Sequence, residues 1–178
     1  MLSCIERKPE RLTKRESPVS AELKSLVAER ERLLQTDSLS PGQAAAVGQR
    51  HRHTVYRFMA KALIREPEDL YRAALLLGPD DESTAAEVCL QAHYLAAEAA
   101  SKGHMPARYV AATSLDRYLV LSGRLQLYGT QYLKDDAGKY RLYPYDTATT
   151  DSTRAEWGVA PLDSLIARVG ALTESATD

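Results

Sequence analysis

The chain has 178 residues, enough to bury a substantial core as one domain without cross-links. A formal net charge of -1 gives no electrostatic basis for binding nucleic acid or an anionic membrane. Two cysteines make no disulfide framework and no run is as long as a membrane span, so a cytoplasmic protein is expected, without nucleic-acid or membrane partners.

Residues 1–17 mix acidic and basic side chains with no apolar period and read as a flexible arm. The opening stretch has no apolar h-region of a secretory signal. Cys4 lies in this arm. Ser17-Pro18 or Ser20 then caps a first helix, with Leu23, Leu26, Val27, Leu33 and Leu34 on one stripe and an end near Asp37-Ser38. Ser40, Pro41 and Gln43 form a capping box for a second helix. That helix carries Ala45, Ala46, Val47, Val55, Phe58, Met59, Ala62 and Leu63. Its Arg50-His51-Arg52-His53 cluster reads either as a solvated face or as an anion site. Pro67 starts a third helix, whose first turn gains from Glu66, Glu68 and Asp69, and Gly78-Pro79 stops it.

Thr84 and Glu87 make a further capping box for a fourth helix, Ala85 to Ser101. Its stripe of Ala85, Val88, Cys89, Ala92, Leu95, Ala96 and Ala99 faces Leu90 and Ala97 on the other side. A helix apolar on two sides belongs between neighbours. Gly103 ends it, Pro106 starts a fifth helix to about Leu121, and Gly123 ends that one. Two alternating segments, Gln131–Lys134 and Lys139–Tyr143, flank Asp135-Asp136-Ala137-Gly138 and predict a hairpin over about 130–144. Asp151 is placed to cap a short helix to Trp157, stopped by Gly158. Pro161 starts a last helix with Leu162, Leu165, Ile166 and Val169. The fold expected is mainly α: one domain over 18–172 with a small C-terminal β-hairpin and a frayed tail at 173–178.

Two resemblances follow from particular residues. Ala99-Ala100-Ser101-Lys102-Gly103-His104-Met105-Pro106-Ala107, between two alanine-rich helices, is similar to the turn of tetratricopeptide repeats of the Sel-like subclass. That likeness covers one repeat and implies an antiparallel helix pair. From Glu66 to Leu165 the chain resembles an uncharacterised family of bacterial domains of unknown function. The resemblance is carried by Glu68–Ala74, Ala92–Ala96, Ala112–Leu119, Gln126-Leu127-Tyr128-Gly129-Thr130-Gln131, Pro144-Tyr145-Asp146 and Gly158–Leu162. Members of that family commonly carry a histidine after the third helix, where this chain reads Leu77-Gly78-Pro79. The family implies no activity.

The candidate chemistry sits in and around the Gln126–Gln131 loop. Asp116 shares a face of the fifth helix with Tyr109, Thr113 and Val120; that face is expected to meet other protein, so the carboxylate must be paired or accept hydrogen bonds. Backbone amides of the loop and the side chains of Arg124, Gln126 and Tyr128 are its expected partners. In one reading Asp116 pins the loop to the helix. In the other, Asp116, Tyr128, Thr130 and Gln131 line a polar pocket beside His93, with Gly129 letting the backbone approach a ligand. His93 is either a satisfied core histidine or a general base. Arg117, Arg141 and Arg154 read either as anion ligands or as partners of surface acids, and Trp157 as a core or hairpin-packing anchor. No metal cluster or cofactor motif is visible, so none is expected. Two functions remain open. One is a non-catalytic module that holds a peptide, protein or small molecule near Gln126, Tyr128, Thr130 and Gln131. The other is a small hydrolytic or proton-transfer enzyme using His93 and Asp116.

Overall fold

The computed structural model describes residues 16–36, 40–78 and 85–175; Cys4, Pro79 and Thr84 lie outside them. Ser17 caps α1 (Pro18–Thr36), its Oγ accepting the Ser20 amide at 3.0 Å. Ser40 caps α2 (Pro41–Ala60) through a reciprocal box, Gln43 returning its side chain to the Ser40 amide at 2.9 Å. The second helix is shorter than its apolar pattern predicts. It ends at Ala60, with Ala62 in the left-handed region at φ 52°, and the exposed Leu63 falls beyond it. The Leu63 amide donates to the Phe58 carbonyl at 3.0 Å and the Ala62 amide to the Met59 carbonyl at 2.9 Å. This is the termination that glycine usually makes, built here on alanine.

The third helix, α3 (Pro67–Leu77), buries Leu70, Ala73, Ala74, Leu76 and Leu77 and packs on α1 and α2. Its Asp69 is buried and accepts the Ser20 hydroxyl of α1 at 2.5 Å. The expected Thr84 cap lies outside the described residues. The N-cap of α4 (Ala86–Ser101) is Ala85, which makes no side-chain cap. As its two apolar sides predict, α4 lies between α3 and α5 (Ala107–Leu121). Alanines at 92, 96, 99, 107 and 111 are fully buried, so these backbones approach closely. No helix among the described residues is long and apolar enough to cross a membrane.

Strands β1 (Tyr132–Lys134) and β2 (Tyr140–Leu142) form the hairpin, antiparallel, with Leu133 opposite Arg141. Asp135 shapes its turn by accepting the Ala137 and Lys139 amides at 3.0 and 2.9 Å. The cap of α6 (Asp151–Glu156) is Thr150 rather than Asp151; Thr150 Oγ1 accepts the Thr153 amide at 3.2 Å. Asp151 instead bridges forward, accepting the Leu162 amide at 2.9 Å. The last helix, α7 (Leu162–Ser175), packs on β2; of the tail expected to fray over 173–178, residues 176–178 lie outside the described residues.

The main core is shared by α1–α5, and a smaller one, Ala112, Tyr128 and Val159, lies under the loop after α5. Trp157 packs against both clusters. Its ring lies 6.0 Å from Tyr128 and 6.5 Å from His93, so it anchors the joint between the cores rather than the hairpin.

Candidate functional site

Asp116 lies on α5 with 0% of its surface exposed. Such a carboxylate needs its lone pairs filled. Oδ1 accepts the amides of Leu127 at 2.7 Å and Tyr128 at 3.0 Å. Oδ2 accepts the Thr130 amide at 3.0 Å and the Thr130 hydroxyl at 2.8 Å, and shares the Tyr128 amide at 3.2 Å. The partners are therefore loop amides and one hydroxyl, not the side chains of Arg124, Gln126 or Tyr128. Asp116 ties the loop to the helix.

Gln126 is equally enclosed, at 0% exposure. Its Oε1 accepts the Gln131 amide at 2.8 Å, and its Nε2 donates to the carbonyls of Gln131 and Tyr143, both at 2.9 Å. The side chain thus replaces a strand inside the loop and joins it to the hairpin. Its backbone adds a bridge: the Gln126 amide donates to the Pro144 carbonyl, and the Asp146 amide donates back to the Gln126 carbonyl. Gln131 reaches back to α5, donating to the Thr113 carbonyl at 3.3 Å and to the Thr130 hydroxyl at 3.1 Å. Gly129 has φ +83°, which favours glycine, and its Cα faces the methyls of Leu162 and Leu165 on α7. The tight turn seats the loop on α7.

The far side of the loop is held by a residue that sequence reasoning did not place there. Arg154, buried on α6, donates Nε to the Tyr128 carbonyl at 3.0 Å and Nη1 to the Thr149 carbonyl at 2.7 Å. Nη1 also meets Asp151 Oδ1 at 3.1 Å, and that three-residue spacing was the available signal. Burial, with the Asp116 and Glu156 charges nearby, raises the Tyr128 phenol above its ordinary value.

The structure thus brings Asp116, Gln126, Tyr128, Thr130 and Gln131 together in one internally bonded network. His93 is not part of it. Its Nδ1 pairs with the Ala111 carbonyl of α5 at 2.9 Å, and no hydrogen bond or ion pair joins it to Asp116. The hollow beside Gly129 and Thr130 is about 30 Å³, room for a water or two.

The basic cluster of α2 splits in two. His51 is buried to 1% exposure and pairs with Glu29 of α1 at 3.1 Å, while Arg50 meets the same carboxylate at 2.6 Å and His53 is exposed. The hydrogen bond from His51 lowers the Glu29 pKa, with Arg50 adding to it. Cys89 is buried, and that burial pushes its thiol up, away from the reactive thiolate. Among the described residues no group of three or more His, Cys, Asp or Glu is placed to hold a metal ion.

Larger concave surfaces lie elsewhere. A groove of about 420 Å³ runs between α1, α3 and α5. Its apolar lining includes Val27, Leu34, Ala74, Leu75 and Val110, with Tyr71 and Tyr109 on its walls. Neither tyrosine hydroxyl has a hydrogen-bond partner among the described residues. Tyr109 is 45% exposed, so the face of α5 that it shares with Asp116, expected to meet other protein, does not do so along its whole length. Leu34 of α1, also lining the groove, is 73% exposed. Nothing in the sequence pairs these two tyrosines, which are 38 positions apart.

No family model, curated protein or solved structure matches this chain.

Proposed function

We propose that the protein is a non-catalytic binding module that holds a short peptide segment of a partner protein in the groove between α1, α3 and α5. The Gln126–Gln131 loop is the mount for that surface: it fixes α5 against the hairpin, α6 and α7. One observation carries the reading. The amides of Leu127, Tyr128, Thr130 and Gln131, the Gln126 side chain and the Thr130 hydroxyl are bonded within the chain, and the Tyr128 ring is buried. The groove instead offers an apolar floor and two tyrosine hydroxyls without partners, that of Tyr109 on an exposed side chain. Its volume lies in the range of ligand-binding clefts, about 300–1,000 Å³. An apolar side chain would sit on Val27, Leu75 and Val110, and the hydroxyls of Tyr71 and Tyr109 would bond the peptide backbone. The tetratricopeptide-like character of the α4–α5 pair belongs to the same proposal.

The alternative enzyme, with His93 as base beside Asp116, has less support. His93 Nδ1 is engaged by a carbonyl, and the oxygens of Asp116 face loop donors.

Selection of displayed peptides on the full chain tests the reading. Enriched peptides should carry an apolar anchor and lose about tenfold or more in affinity for Val27→Asp, which puts a charge on the groove floor. Peptides that bind Val27→Asp as tightly as the parent would overturn it.

A further inference from the structure

A second concavity, sharing no lining residue with the groove, lies where the end of α4, the start of α5 and the end of α6 converge. It measures about 400 Å³ and is lined by Ala97, Ala100, Ser101, Arg108, Glu156 and Trp157. The sequence explains its shape. Ala97 and Ala100 are small side chains on α4 that are only partly covered, so the wall recedes there. Trp157 follows the last residue of α6, its indole held by packing against Tyr128 and His93. The result is a floor of alanine methyls and an aromatic wall in a fixed orientation.

The charges around that floor are left without protein partners. Arg108 is half-buried and Glu156 exposed, yet among the described residues neither side chain makes a hydrogen bond or an ion pair, with the other or with any neighbour. Some surface charges pair closely, as Arg50 does with Glu29 at 2.6 Å and Lys102 with Glu98 at 2.8 Å, and others, such as Arg124 and Glu87, do not among the described residues. Arg108 and Glu156 differ from these in lining one hollow together. A guanidinium and a carboxylate that line one hollow without pairing are both available to a dipolar ligand.

Elimination narrows its chemistry. A simple anion would gain Arg108 but meet the like charge of Glu156, and a simple cation would face the reverse. A neutral apolar molecule would strip water from both charged groups and return nothing to either. A molecule with a carboxylate at one end and an ammonium at the other satisfies both. Its carboxylate takes the guanidinium fork, its ammonium takes Glu156, and its carbon frame lies on the alanines and the indole. We propose that this hollow is a binding site for a zwitterionic small molecule of the amino-acid class, either a free amino acid or a dipeptide.

Trp157, the single tryptophan of the chain, lines the site and reports on it directly. The full chain is titrated with the common amino acids and a dipeptide panel up to about 10 mM while tryptophan emission is followed. A saturable change from some of these ligands is expected, and whether amino acids or dipeptides give it fixes the length. The carboxamide and the N-acetyl derivative of the best ligand should each bind about tenfold or more weakly. Arg108→Gln should weaken the zwitterion to the same degree but leave the carboxamide unchanged. Glu156→Gln should do so while leaving the N-acetyl derivative unchanged. Absence of any saturable change overturns the proposal. So does binding indifferent to amidation and acetylation, or binding that both variants retain in full. The ligand derivatives need no variant to fold, and the groove can fail its own test without affecting this one.

Discussion

Two polar regions of this molecule treat their charges in opposite ways. Under the loop, Asp116 is sealed from water and accepts from Leu127, Tyr128 and Thr130, while Arg154 holds the Tyr128 carbonyl from the other side. At the junction of α4, α5 and α6, Arg108 and Glu156 line one hollow and bond to nothing among the described residues. Burial makes the difference. A sealed carboxylate without donors costs several kcal/mol, so its partners are built into the fold. Half-exposed charges keep water as a partner and stay free for a ligand. The region richest in polar contacts is thus the one that holds the structure together, and the sparser one is open to binding.

The largest test of that contrast is Asp116→Ala. It leaves the amides of Leu127, Tyr128 and Thr130 buried without an acceptor and should cost about 3–5 kcal/mol in denaturant unfolding. Tyr128→Phe should act only in alkali. The Tyr128 phenol is raised by burial first and then by the Asp116 and Glu156 charges. A raised folded-state pKa gives stability that is complete below the ordinary 10.0 and is lost as pH climbs through the folded value. The variant should therefore flatten the decline of stability above about pH 10, read as Tm against pH. Smallest of all, Arg108→Gln and Glu156→Gln should each move stability by less than about 0.5 kcal/mol. A large loss from either would mean that these charges support the fold, and the contrast would fail.

The helices were legible because their ends carry local chemistry. Ser40 with Gln43, Pro67 in a first turn and the glycines after α4 and α5 mark boundaries by reasons that act within a few residues. The end of α2 was hidden because Ala62 occupies a left-handed position that alanine tolerates at a cost of about 1–2 kcal/mol. Ala62→Gly should therefore stabilise the protein by about 1 kcal/mol in chemical denaturation. His51 was ambiguous because its partner, Glu29, lies on another helix.

The candidate loop was legible in place but not in direction. A charge on the buried side of α5 pointed to Asp116 as a tether. Nothing in Gln126, Tyr128, Thr130 and Gln131 tells whether such side chains bond a ligand or their own backbone; tertiary closure onto Thr113 and Tyr143 decides it. Arg154 reads from sequence only as an anion ligand or the partner of a surface acid, because arginine at the surface is the commoner case; its burial against the Tyr128 carbonyl comes from tertiary packing.

The most direct test of the tether is hydrogen exchange by NMR at the amides of Leu127, Tyr128 and Thr130. If the loop is sealed by Asp116, these three exchange only through opening of the whole domain, far more slowly than the Asp136 amide in the hairpin turn. Exchange of the three as fast as that of the turn would contradict it.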